Sequence, residues 1–229
     1  MFAIFFLSSA SGIGLNPYLA LPLVAVLGLL FGYVMYFIAV HRVLDAPHLS
    51  SLLATFSVSM MIIGVGTAFF TTSPRNIEFS MGSFQLGPIT LLGTRVIAAV
   101  ISIVVTAGLY LFLYRTQQGK AIRAVANNRA ASELMGVPST QTLALSFGIG
   151  TMLAAISGGL IATFFSFSIL SGTVYELKSF VIVVLGGLIL GALEGVAPVF
   201  IPVSWVPVIE FVLFVLILLV RPTGLMGGR

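Results

Sequence analysis

The chain has 229 residues, 59% of them hydrophobic and only 7% charged, with a net charge of +4 and a mean hydropathy of +1.19. That excludes an ordinary water-soluble domain, whose surface needs far more charge; the solvent is a bilayer, in which every crossing must satisfy its own backbone. There is no cysteine, so disulfides and thiolate metal centres are excluded, and the cations concentrate in one segment, which marks membrane topology rather than nucleic-acid binding.

Apolar runs of about 20 residues without strand alternation predict an all-α polytopic membrane protein of about six helices, organised as one transmembrane domain over residues 1–229. Residues 1–7 are apolar but too short to span, and they lack the basic leader of a signal peptide. Asn16-Pro17 opens the first span, residues 18–40, with Pro22 tolerated near its start. A polar link with His41, Arg42, Asp45, Pro47 and His48 follows; its histidines are interfacial, and no metal site is expected. Residues 49–70 form the second span. In the loop over 71–93, Ile77, Phe79 and Met81 alternate with Glu78 and Ser80. Gly82-Ser83 then precedes Phe84, Leu86 and Ile89, a pattern that predicts a small β-hairpin lying on the membrane surface. Such a hairpin serves either as a seat for an external binding protein or as a lid over helix ends. Residues 96–114 are the third span.

Residues 115–146 are the longest hydrophilic run. Arg115, Lys120, Arg123 and Arg129 stand there with Glu133 as the one acid, interleaved with Ala121, Ile122, Val125, Ala126, Ala130 and Leu134. The spacing predicts an amphipathic helix, one face basic and the other small and oily. Gly136 stops it, Pro138 prevents continuation, and Ser139 or Thr140 caps the next helix. Spacing alone favours a helix held against anionic lipid over one that docks a soluble partner.

The fourth span, 143–167, carries Ser146, Gly150, Ala154, Gly158, Ala162 and Ser166 at four-residue intervals, a face suited to close helix packing. A link with Glu176 and Lys178 leads to the fifth run, 180–199, where Gly187, Gly191 and Gly195 repeat the pattern; one continuous helix is expected. Pro198, Pro202 and Pro207 interrupt the approach to the last span, 208–220, with Trp205 as an interface anchor. Glu194 and Glu210 lie in apolar runs. Acids there are costly and are candidate transport-site residues, the alternatives being a hydrogen bond to a neighbouring helix or interfacial solvation.

The basic loop should be cytoplasmic, with Arg42 on the same side and the hairpin outside; Arg75 and Arg95 run against this rule. Gly119-Lys120 is followed by Ala121, so no nucleotide-binding loop exists, and no zinc-protease or serine-nucleophile motif is present. The chain is not predicted to be an enzyme, and no cofactor is expected on it.

Residues 119–128 (GKAIRAVANN), Ala130-Ala131 and Met135-Gly136-Val137 together resemble the cytoplasmic coupling loop of branched-chain amino acid ABC importer permeases. The likeness continues through Lys178-Ser179-Phe180, Gly186-Gly187 and Arg221-Pro222-Thr223-Gly224-Leu225. The resemblance implies a type II ABC importer permease, in the cytoplasmic (inner) membrane of a bacterium or archaeon. Its partners would be ABC ATPase subunits that use ATP, a second permease subunit and an extracytoplasmic solute-binding protein. It turns residues 115–141 into a coupling loop. Gly119, Lys120, Ala121, Arg123, Ala124, Asn127, Ala131 and Gly136 would engage the ATPase, and Gly150, Ala154, Gly158, Gly187, Gly191 and Gly195 would pack helices. Relative to the family, the sequence reads as short at its N-terminus and in the Gly-rich turn near Gly186, as if one crossing were lost. The rival reading is a secondary carrier or channel that uses Glu194 or Glu210.

Overall fold

A computed structural model describes residues 1–8, 16–43, 48–70, 73–77, 82–86, 89–202 and 205–220. Its elements are α1 (Phe2–Ser8), α2 (Pro17–Met35), α3 (His48–Phe70), β1 (Ser83–Leu86), β2 (Ile89–Leu92), α4 (Gly93–Arg115), α5 (Gln117–Asn127), α6 (Arg129–Leu134), α7 (Ser139–Ala162), α8 (Ser171–Leu185), α9 (Gly187–Phe200) and α10 (Val206–Val220). They form two compact units, Met1–Ser168 and Ile169–Arg229.

In the first unit, the Asn16 side chain accepts from the Tyr18 amide and Pro17 starts α2, as a helix N-terminus favours. Pro22 lies past the first turn, inside the helix. After Met35 the backbone widens into a π turn (Tyr36–Val40) and tightens into a 3-10 turn (His41–Val43), so the apolar stretch runs over Pro17–Val43. α2 packs antiparallel on α7. A Cβ on Gly28 would stand 2.7 Å from the Ala155 Cβ, and one on Gly32 would stand 2.8 Å from the Thr151 Cβ. Between these glycines the Thr151 hydroxyl donates to the Gly28 carbonyl at 2.9 Å. Small residues let the backbones approach, and a threonine joins them. The tightly packed stripe of α7 is thus Gly148, Thr151, Ala155 and Gly159. The expected stripe Ser146, Gly150, Ala154, Gly158 lies beside it: a Cβ on Gly150 would meet nothing within 4 Å, and Gly158 has only ordinary contact with Met1 at 3.5 Å. A strict four-residue repeat advances by about 40° per step on a 3.6-residue helix, so it spirals off any straight contact line.

Among the described residues three helices are long and apolar enough to cross a membrane: Pro17–Val43, Gly93–Arg115 and Ser139–Ala162. Thr55–Phe70, Ile189–Phe200 and Val206–Ile217 are shorter apolar helices. Outward side chains are themselves apolar, Leu19 and Ile103 being about 70% exposed, as suits faces that meet lipid or partner helices. The chain is a membrane protein, almost wholly helical.

Residues 83–86 pair antiparallel with residues 89–92, Leu86 facing Ile89 and Ser83 facing Leu92. The paired strands lie within the 71–93 loop where a hairpin was expected; residues 78–81 of the expected alternation lie outside the described residues, as do Asp45, Pro47 and the tail from Arg221. Gly93 donates to the Gly82 carbonyl at 3.0 Å, closing the pair onto the start of α4. Arg75 forms a two-way backbone bridge with Phe167. Its guanidinium sits 5.2 Å from the Phe5 ring centroid, while that of Arg95 lies 5.7 Å from the Phe165 ring. Aromatic faces therefore receive the two cations that break the charge rule. α7 ends at Ala162, earlier than expected, and Thr163 closes it by donating to Leu160.

In the second unit the expected continuous helix over 180–199 is broken. α8 stops at Leu185, Gly186 takes φ +87° and ψ 131°, and α9 starts at once. Lys178 of α8 pairs with Glu194 of α9. A straight helix would hold these residues about 24 Å apart, so the two arms fold back on each other. Gly186 permits this because left-handed φ carries little steric penalty without a Cβ. Pro198 lies inside α9, which continues to Phe200, and Trp205 is exposed.

Candidate functional site

The basic segment folds as two helices with a corner at Asn128 where one amphipathic helix was expected. Thr116 has extended backbone, and its hydroxyl oxygen accepts from the Gly119 amide at 3.0 Å, an N-cap that starts α5. The same hydroxyl donates to the Phe112 carbonyl at 2.6 Å, so α5 turns back directly off the end of α4. Gly119 is buried in that turn. A Cβ there would lie 2.6 Å from the Leu113 Cα, which leaves no room for a side chain. Val125 is 5% exposed and faces inward with half-buried Ala121 and Ile122. Asn128 then breaks the run (φ −155°), and its side chain accepts from the Ala131 amide at 3.0 Å to start α6.

α6 ends at Leu134, and Gly136, just past its cap, takes φ +79°. Gly136 donates to Glu133 and Val137 donates to Ser132, each at 3.0 Å, the paired bonds of a glycine-stopped helix. Ser139 does not cap α7. Pro138 is the cap residue, and the Ser139 hydroxyl donates to the Glu133 carboxylate. Arg129 reaches the same oxygen at 3.1 Å. These two donors, Ser139 first, hold the Glu133 carboxyl below the usual carboxylate range, and they brace α6 against the start of α7.

The outward surface differs from the expected one at several positions: Gly119 is buried and Ala121 half-buried beside Val125, while Ala126 and Ala130 of the expected oily face are exposed. Lys120, Ala124, Asn127 and Ala131 are exposed, as a docking surface requires. Arg123 is not on that face: its guanidinium lies 4.4 Å over the Tyr114 ring, and its Nε is buried. Leu134, expected on the oily inward face, is 89% exposed, and Met135 beside it is 83% exposed. The corner at Asn128 rotates α6 out of the helical phase of α5, so periodicity carried across it fails. Two apolar residues directly before Gly136 were the available signal for this knob.

The antiparallel seat of α2 on α7 brings the end of α2, with Arg42, to the end of α7 from which this segment emerges; the Tyr36 and Phe147 ring centroids are 6.4 Å apart. The positive charges of the first unit thus separate into a group at this end and the ring-covered Arg75 and Arg95 at the other.

Glu194 and Glu210 belong to the second unit. Lys178, not singled out with them in the sequence, pairs with Glu194 and lies 3.9 Å from Glu210. Glu210 is 1% exposed, which goes against interfacial solvation, one of the alternatives for it. Gly187, Gly191 and Gly195 lie on α9, where a Cβ on Gly191 or Gly195 would meet nothing within 4 Å. Among the described residues no group of His, Cys, Asp or Glu could hold a metal ion.

The family described as "Branched-chain amino acid transport system / permease component" matches residues 1–220. The chain is 27% identical over 164 residues to the high-affinity branched-chain amino acid transport system permease protein LivH of Salmonella typhimurium, covering 66% of this chain and 53% of that protein. It is 31% identical over 171 residues to BraD of Pseudomonas aeruginosa, covering 69% and 54%. It is also 29% identical over 195 residues to the ribose import permease protein RbsC of Escherichia coli, covering 82% and 58%. The chain spans about half the length of the curated relatives it matches. No solved structure matches. With the match running from α1 to α10, this chain belongs to the branched-chain amino acid transport permease family.

Proposed function

We propose that the chain is the membrane-spanning permease subunit of an ATP-driven importer for branched-chain or related amino acids, seated in a bacterial or archaeal cytoplasmic membrane. The observation that carries this reading is the α5–α6 segment: a rigidly rooted, basic-flanked projection with an exposed apolar knob at Leu134 and Met135. The roots matter, because a projection clamped to α4 by Gly119 and to α7 by Ser139 transmits a push to two membrane helices. A loop held only by lipid needs no such clamps. In this proposal an ATPase subunit grips the segment, ATP is hydrolysed there, and α4 and α7 move. A second permease subunit completes the pathway, an external binding protein delivers cargo, and the strand pair near 83–92 faces outward. The three long apolar helices together with α3 and α10 give five crossings in this proposal, one fewer than the six expected, because the α8–α9 hairpin folds back on itself. The cargo class rests on the relatives named above, one of which imports ribose, so the family alone does not select it.

The test is purification of the chain from its native membrane followed by uptake in vesicles. Co-purification of an ATPase, and leucine uptake that stops without ATP, are expected. Uptake driven by an ion gradient with no nucleotide would replace this reading with a secondary carrier.

A further inference from the structure

The second unit contains a charge cluster that coupling to an ATPase does not use. The α8–α9 hairpin sets the Lys178 ammonium against the Glu194 carboxylate, with Glu210 of α10 at 3.9 Å. One cation therefore faces two carboxylates. Glu210 is buried at 1% exposure, and neither of its oxygens has a hydrogen-bond partner among the described residues. A buried carboxylate short of donors is unfavourable until something supplies them. The side chains of Lys178 and Glu194 remain 25% and 38% exposed, so the cluster has an open side, with Glu210 as its floor. One helical turn from each charge stands an apolar residue: Val181 after Lys178, Leu190 before Glu194, and Phe214 after Glu210. These three belong to one packed cluster, on the same helix faces as the charges.

We propose that Lys178, Glu194 and Glu210 form a head-group site for a zwitterionic α-amino acid with an apolar side chain. This rests on the permease reading above and adds a location to it. The ligand's carboxylate would take Lys178, and its ammonium would take Glu194 and Glu210. A zwitterion replaces the Lys178–Glu194 pair without changing the net charge of the site. Its ammonium also brings three donors to the place where Glu210 has none. A simple anion supplies no such donors and a sugar brings only neutral hydroxyls, which leave the carboxylate charge uncompensated; half-buried Phe214, one turn from Glu210, offers an apolar contact to the ligand's side chain.

The assembly in vesicles, supplied with leucine-loaded binding protein and ATP, tests this. Glu210→Gln should lower leucine uptake at least about tenfold, the loss expected when one member of a buried charge cluster is removed. Exposed Glu176→Gln, on the same helix as Lys178, should leave uptake unchanged. The exchange Lys178→Glu with Glu194→Lys keeps an α8–α9 ion pair but reverses its polarity. It should preserve the melting temperature yet leave uptake low; restored uptake would make the cluster a mechanical clasp and overturn the site. Normal uptake by Glu210→Gln would also overturn it. A readout on the unmutated assembly, without binding protein, covers variants that fail to fold. Millimolar leucine should raise its melting temperature, and the 2-hydroxy acid of the same skeleton, which lacks the ammonium, should not. Equal shifts, or none, would overturn the site. Loss of ATP-driven uptake in the unmutated assembly counts instead against the permease reading, and the leucine comparison still decides the head-group site.

Discussion

Gly119 shows what one missing methyl group does at the root of the basic α5–α6 segment. With α5 folded onto the last turn of α4, a Cβ would strike the Leu113 backbone, which cannot move aside as a flexible side-chain end could. Gly119→Ala should therefore destabilise the assembly by about 1–3 kcal/mol, the usual cost of overpacking; an unchanged melting temperature would show that the turn opens freely. Arg123 is half-buried over Tyr114. Tyr114→Leu should loosen it and cost about 0.5–2 kcal/mol, while Tyr114→Phe should retain most of the contact, and the two melting temperatures compare them. Glu133 titrates below the normal carboxylate range because Ser139 and then Arg129 donate to its ionised form. A group depressed in the folded state stabilises it above the unfolded pKa, and that contribution disappears as pH falls through the folded pKa. Amide exchange at Gly136 and Val137 should thus accelerate, beyond the intrinsic pH effect, below the ordinary carboxylate range. Glu133→Gln should show the same opening at neutral pH; exchange insensitive to both changes would mean that the brace is not formed.

At the scale of elements, the α5–α6 pair and the α8–α9 hairpin are the two departures from plain helical periodicity, and both carry proposed function. Ala124 is exposed on α5, so Ala124→Glu should insert and fold normally. In a partner's groove, however, the unpaired carboxylate would be desolvated, and ATP-driven uptake should be lost. Normal uptake at normal expression would remove α5 from the docking surface. Gly186 has a different task. With φ +87°, a β-branched residue is strained by about 1–3 kcal/mol. Gly186→Val should increase proteolysis within the second unit while leaving α2 and α7 of the first protected; equal protection throughout would mean that the bend tolerates a side chain.

For the whole molecule, the strong test is sidedness, and the lack of native cysteine makes it clean. A cysteine at Asn128 should react with an impermeant maleimide only after the membrane is opened, and one at Ser83 should react in intact cells; the reverse would invert the molecule. The α4 helix of 23 residues, about 34 Å long, separates the two positions by a full bilayer core. Much of this arrangement was readable from the sequence, because lipid leaves the backbone few choices: an uninterrupted apolar run must become a helix. The spans near 18–40 and 96–114, the stop at Gly136 and the projecting segment all follow from such local constraints. The side of a helix that meets its neighbour is not local. Gly148, Thr151 and Ala155 face α2 because Gly28 and Gly32 lie opposite them, and no count along α7 alone reveals that register. The bend at Gly186 was missed for the same reason. Gly187, Gly191 and Gly195 suit a straight helix, whereas the Lys178–Glu194 pair can form only across a hairpin. The sequence by itself determined which segments must be helical in lipid. Tertiary structure alone decided which charges meet, since that depends on residues far apart in the chain and on the energy of leaving a buried carboxylate without a partner.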